Sequence, residues 1–244
     1  MTINFGVLAL DQILNHATKI RYMSGGQMNV PMIIRAVTGG GAGLAATHSQ
    51  SLEPWFAHMP GIHVVVPSTP YDALGLLRQS FLSEDPVLFS EHAMLYRAKG
   101  EVPDEHYAIP FGSADIKREG SDVTLIAYSR MVHVALEAAK ELAERGVEAE
   151  VIDIRTLRPL DTETIVASVN KTNRGAIIEE AWRTGGFAAE IAAQIQEQCF
   201  DNLDGPIARI SGEDVPQPYA VNLERAAIPD ATKVISKLAE VIGV

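Results

Sequence analysis

The stretch PMIIRAVTGGGAGLAATHSQSLEPWF, residues 31–56, decides how this chain folds. Its first seven residues form a nearly continuous apolar run, the pattern of a strand buried on both faces of a parallel sheet. Four glycines, Gly39 to Gly41 and Gly43, then turn the chain, because glycine permits positive φ and lets another body approach the backbone. Thr47-His48-Ser49-Gln50 follows. It would stand at the carboxyl end of that strand, where open α/β sheets hold their ligands.

Working outward, runs of the same kind recur at residues 63–68, 87–92, 123–128, 150–155, 176–181 and 208–212. Between them lie helix-period segments at roughly 9–22, 71–83, 131–145, 161–172, 187–200 and 230–242. Thr69-Pro70 opens the second of these, Gly146 closes the third, and Asp161 after Pro159 is placed to cap the fourth. Alternating strand and helix predict an α/β protein with two open, mostly parallel sheets. From 97 to 121 charge, Gly and Pro replace the periodicity, so this seam reads as a linker containing one short strand. The expected domains are 1–112, linker included, and 113–244, the second folding as a unit.

With 244 residues and 47% hydrophobic content the chain can bury a sizeable core. The net charge is −11 and the basic residues are scattered, which excludes a stripe for nucleic acid or an anionic membrane. Proteins or small molecules are the expected partners. The single cysteine, Cys199, rules out an intrachain disulfide framework and a cysteine-rich metal site, as suits a reducing cytoplasm or an organelle matrix or stroma. No run reaches the roughly 18 apolar residues of a bilayer span, and MTINFGVLALDQIL lacks the basic n-region of an export signal.

The glycine loop has two readings. Gly41, Gly43 and Ala46 give G-x-G-x-x-A, the turn that brings a backbone to a pyrophosphate. Against this, Pro54 falls where the crossover helix should run, and the next strand, HVVV, ends in Pro67-Ser68 with no acid for a ribose hydroxyl. A P-loop is excluded, since no Gly-Lys-Ser/Thr follows. The other reading makes the loop a frame for His48, whose imidazole exchanges protons near neutral pH. Spacing alone leaves His48 better explained as a hydrogen-bonded structural histidine, and no Ser-His-Asp triad is visible.

Several longer motifs then occur in order: LDQILNHATKIRYMSGGQ, HSQSLEPWFAHMPGIHVVVPSTPYDALGLL, VIDIRTLRPLD, EEAWRTGGFAAEI and DVPQPYAVNLERAAIP. Together they resemble the beta subunit of the thiamine-diphosphate-dependent 2-oxoacid dehydrogenase decarboxylating component, most closely that of pyruvate dehydrogenase. The similarity runs over essentially the whole chain. It implies a pyrimidine-binding domain followed by a transketolase C-terminal domain, and a heterotetramer of alpha subunits with a second beta subunit, served by a lipoyl acyltransferase core.

The resemblance places thiamine diphosphate between subunits, with diphosphate and magnesium on the alpha subunit and the aminopyrimidine on the beta subunit. It implies that His48 assists proton transfer and acyl transfer to lipoamide. Phe5 aligns with an aromatic residue that contacts the aminopyrimidine; a core phenylalanine is the alternative. Some members bind potassium through backbone oxygens, which here implicates Ile33, Ser80, Ser83 and Asp85. The family's glutamate that hydrogen-bonds the aminopyrimidine ring precedes LDQI, and this chain is expected to begin after it. Glu53, which follows His48, does not stand in for it. The first domain is therefore expected to expose sheet edge and apolar surface, and residues 1–96 to be less stable than 113–244.

The activity implied is oxidative decarboxylation of pyruvate with reductive acetylation of lipoamide, the isolated chain being inactive. The alternatives are the same chemistry on a branched-chain 2-oxoacid or acetoin, and a non-catalytic fragment that docks the alpha subunit or the acyltransferase core. Arg183, Gly185 and Gly186 are read as shaping a helix start and a subunit contact. Trp182, His16, His92 and His133 are assigned no chemistry.

Overall fold

A computed structural model of the chain describes residues 1–243. The apolar runs form strands, and their alternating side chains supply two faces each. In the first half these are β1 (Ile33–Thr38), β2 (His63–Val65) and β3 (Val87–His92); in the second, β4 (Asp115–Arg118), β5 (Val123–Ala127), β6 (Ala149–Asp153), β7 (Thr156–Arg158), β8 (Gly175–Trp182) and β9 (Ala208–Gly212). They build a four-stranded sheet in the order β1-β3-β2-β7 and a five-stranded sheet in the order β4-β6-β5-β8-β9. Both are parallel except at one edge, where β7 runs antiparallel to β2 and β4 antiparallel to β6. The linker strand of the sequence is β4.

The helices are α1 (Ile20–Met23), α2 (Glu53–His58), α3 (Pro70–Phe81), α4 (Met131–Ala143), α5 (Thr162–Thr172), α6 (Phe187–Cys199), α7 (Val221–Ala227) and α8 (Ala231–Ile242). Their caps are those the sequence offers. Thr69 Oγ1 accepts the Asp72 N–H at the start of α3, Asp161 the Thr164 N–H at the start of α5, and Asp230 the Lys233 N–H at the start of α8.

Four elements differ from expectation. The one helix foreseen over 9–22 is a 3₁₀ segment (Ile3–Ala9), a π-helical turn (Gln12–Ala17) and α1. Thr18 Oγ1 donates to the Leu14 carbonyl at 2.9 Å, and its N–H reaches one residue further back, to the Ile13 carbonyl at 3.1 Å. Pro54 does not prevent a helix, because α2 begins at Glu53 and the proline occupies its first turn, where no N–H is required. The short helix α7 was not foreseen. Neither was β7, which starts just after Arg155, a non-glycine residue at φ +55°.

Strand β7 belongs to the second half of the sequence but completes the first sheet, and the core follows it. One cluster joins Phe56, Val64 and Leu88 of the first half to Ile126, Ile152, Leu157, Ile177 and Ile191 of the second. Val65, one residue on from Val64, faces the other way, onto Leu76 and Phe89 under α3. A third cluster fills the space between the second sheet, α4 and α8 around Leu125, Leu142, Val151 and Leu238. On its far side β1 has only the Thr2–Val37 bridge among the described residues. Met1, Leu8, Tyr22 and Met23 are exposed in the same half.

Candidate functional site

Strand β1 delivers the chain to the glycine loop. Gly39, Gly41 and Gly43 have φ of +83°, +94° and +70°, and the loop's N–H groups turn to one side in the manner of an anion-binding nest. The anions that fill it are the chain's own. Gly40 N–H donates to Glu180 Oε1 at 2.5 Å, and Gly41 N–H to Glu224 Oε1 at 2.8 Å. Gly43 N–H is shared between the two Glu224 oxygens at 3.3 and 3.2 Å. Glu180 lies at the carboxyl end of β8 and Glu224 on α7, so the second half of the chain holds the loop of the first.

Both carboxylates are buried. Burial pushes the Glu180 carboxyl up, but His92, the Gly40 N–H and Arg130 outweigh it and hold the group below the ordinary value. His92 Nδ1 accepts the Met94 N–H at 3.1 Å, so its Nε2 carries the proton that goes to Glu180 Oε2 at 2.9 Å. Arg130 Nη1 stands 3.8 Å from the same oxygen.

Beyond the nest the chain runs outward to Thr47 and His48, both exposed. His48 Nδ1 is engaged by the Thr47 hydroxyl at 2.9 Å, and among the described residues no hydrogen-bond partner meets its Nε2. The Phe5 ring meets the imidazole edge to face, with centroids 5.3 Å apart and planes at 62°. Phe5 is 39% exposed. It comes from the 3₁₀ segment beside β1, so two residues 43 positions apart in sequence form one aromatic surface.

Glu53 is elsewhere. It is 2% exposed, and Ser90 Oγ donates to its Oε1 at 2.8 Å, while its Oε2 has no partner. Burial raises its pKa, partly offset by the nearby Thr38 and Ser90 hydroxyls. It lines a gap of about 10 Å³ with Thr38, His92, Ser129, Arg130 and Glu180.

Ser80 lies in the last turn of α3, and Ser83 and Asp85 follow it in the turn before β3. Ser83 N–H donates to the Ser80 carbonyl at 3.3 Å, and Ser83 Oγ to the Asp85 carbonyl at 2.9 Å. The Asp85 carboxylate is taken by Arg21 at 2.9 Å. Ile33 pairs in register with Val87, two residues beyond Asp85, so the four positions share one end of the first sheet. Among the described residues no three His, Cys, Asp or Glu side chains gather to hold a metal.

Of the residues assigned no chemistry, Trp182 Nε1 donates to the Val215 carbonyl, and His133 contacts the Ser68 carbonyl. Gly186 caps α6, and a β-carbon there would meet Glu179 Oε1 at 2.2 Å. Glu179 accepts from Ala188 N–H, Ser211 and Tyr128, and burial lifts its pKa to about 7. The residues that sequence reasoning missed are Glu180, Glu224 and Arg130. One signal was present for Glu180, since an ionisable pair ending a buried strand, as in AIIEEA, calls for a partner.

The transketolase pyrimidine-binding domain matches residues 1–99, and the transketolase C-terminal domain matches residues 112–234. The chain is 48% identical to the pyruvate dehydrogenase E1 component subunit beta-2, mitochondrial, of Oryza sativa subsp. japonica, over 96% of this chain and 64% of that protein. It is also 48% identical to the acetoin:2,6-dichlorophenolindophenol oxidoreductase subunit beta of Bacillus subtilis, over 96% of this chain and 68% of that one. Thus the chain spans just under two thirds of the rice protein's length. A split-gene transketolase, solved as an inactive beta4 tetramer, shares the fold with a TM-score of 0.78 at 24% identity, over 98% of this chain and 73% of that one. The chain belongs to the transketolase-like family of the pyruvate dehydrogenase E1 beta subunits, in which a pyrimidine-binding domain precedes a transketolase C-terminal domain.

Proposed function

We propose that this chain forms the beta-subunit part of a thiamine-diphosphate-dependent decarboxylating component that acts on pyruvate with alpha subunits and passes the acetyl group to lipoamide. The observation that carries the reading is the Phe5–His48 pair at the carboxyl end of β1. It fits the aminopyrimidine half of the cofactor, offering an aromatic surface with an imidazole at its edge. The diphosphate half does not fit here, because the loop's N–H groups are already taken by Glu180 and Glu224. Diphosphate and magnesium belong on this reading to the alpha subunit.

When bound, thiamine diphosphate supplies the electron sink for decarboxylation. The chain's part is to hold Phe5 against the ring and to give or take a proton at His48 Nε2. A potassium ion in the turn would be held by carbonyls of Ile33, Ser80, Ser83 and Asp85, since Arg21 occupies the Asp85 carboxylate. Acetoin is the competing substrate, favoured by equal 48% identity to the acetoin relative. The test is a complex reconstituted with alpha subunits and a lipoyl domain, assayed on pyruvate, a branched-chain 2-oxoacid and acetoin. His48→Ala is expected to cut lipoyl acetylation by roughly 100-fold or more with assembly intact. Unchanged turnover in the variant sinks the assignment of His48, and cofactor binding without turnover on any substrate identifies a non-catalytic fragment.

A further inference from the structure

The glycine loop carries His48, yet its conformation is set from the other half of the molecule. We infer that Glu224, with Glu180 behind it, is a positioning residue: its carboxylate fills the loop's nest and fixes where His48 stands. This rests on the functional reading of His48.

Three features separate this clamp from ordinary packing. Both Glu224 oxygens are used, one by Gly41 and Gly43 and the other by Gly43, so the carboxylate is chelated by loop N–H groups. Among the described residues Glu224 has no Lys, Arg or His within ion-pair distance, although it is 2% exposed. Its charge is therefore met by the loop's dipoles, and the buried carboxylate has no other partner to replace them. Finally, the loop backbone lies directly on the second half: a β-carbon on Gly40 would come 2.9 Å from Ile228 Cδ1, and one on Gly41 2.9 Å from Arg130 Nη1. Glycine at these positions lets the backbone reach the carboxylates.

The loop leaves the nest at Gly43 and reaches His48 five residues later, through Ala45 at φ +64° and an Ala45 carbonyl that accepts the His48 N–H at 3.2 Å. This short, turned path carries displacement at Gly43 to the imidazole. Removing the clamp thus moves the proton-exchanging nitrogen without touching it, and catalysis falls while binding of the 2-oxoacid elsewhere in the site is retained.

The test compares Glu224→Gln, which keeps shape but sets an NH2 against the Gly43 N–H, with Glu224→Asp, which keeps charge but withdraws it. Hydrogen exchange at residues 40–48 in the full chain reads the clamp, and the reconstituted complex with alpha subunits reads turnover. In Glu224→Gln the loop amides are expected to exchange roughly tenfold faster or more, and kcat to fall about 10- to 100-fold with KM for pyruvate held. Glu224→Asp recovers part of both, and adding His48→Ala to Glu224→Gln costs less than it does in the parent. Unchanged loop exchange in a Glu224→Gln chain that keeps its thermal transition overturns the clamp, as does a loosened loop with full kcat. A parent enzyme indifferent to His48→Ala removes the functional reading and the positioning role together, and that single-variant result tells it apart from failure of the clamp alone.

Discussion

Gly39 has φ +83°, and a β-carbon on it would lie 2.0 Å from His92 Nε2, the nitrogen that donates to Glu180. The side chain it would displace is buried and hydrogen-bonded at both ring nitrogens, so it has nowhere to go. Gly39→Ala is expected to lower unfolding stability by about 2–4 kcal/mol, from backbone strain and the broken pair together. Urea unfolding measures this; a loss under about 0.5 kcal/mol would mean the loop relaxes freely. At this scale the sequence was uneven. His48 and Phe5 enter the candidate site only through the resemblance carried by a run of family motifs, since spacing alone leaves His48 a structural histidine. Glu180 and Glu224 lie 140 and 183 positions from the glycines they bind, and no local pattern encodes so long a reach. His92, to which the sequence assigns no chemistry, is buried, and its place in the core is to hold Glu180.

Helix α5 shows what a legible element looks like. Asp161 was recognisable as a cap from Pro159 and the periodic run behind it, and it accepts the Thr164 N–H at 3.0 Å. It also takes the Ala114 N–H at 2.8 Å, which ties the end of the linker to the helix start. Asp161→Ala therefore removes two backbone partners, and its expected cost is about 2–3 kcal/mol against roughly 1 for a cap alone. A loss no larger than that of Asp230→Ala, which caps α8 through Lys233 N–H, would show that the linker contact adds nothing. Long periodic helices such as α4 and α6 were clear from their apolar spacing. The N-terminal segment was not, because 3₁₀, π and α turns differ in backbone hydrogen bonding while sharing much the same hydrophobic spacing. Strand β7 has three residues, too few for a period, and its place is decided by β2, some ninety positions earlier.

The halves of the molecule are joined by a buried charged network as well as by β7 and the shared core. Ser68 and Asp72 of the first half meet Asp153, Arg155, Lys117 and Asp115 of the second. Asp72 is held below the ordinary carboxylate value despite its burial, by Thr69, Lys117 and Arg155. Asp153 moves the other way: burial, and then the neighbouring Asp72 charge, lift it to about 6. A carboxyl raised from 3.8 to about 6 binds its proton more tightly in the folded state, so its contribution is complete below pH 3.8 and is lost as pH rises through 6. Asp153→Asn mimics the protonated form and keeps an oxygen for the Arg155 N–H. The parent should therefore lose on the order of 2 kcal/mol relative to the variant between pH 4.5 and pH 7.5. Urea unfolding of both chains across that range supplies the measurement. Parallel stability curves would show that Asp153 ionises without cost, and that Lys117 and Arg155 neutralise the pair of aspartates at every pH.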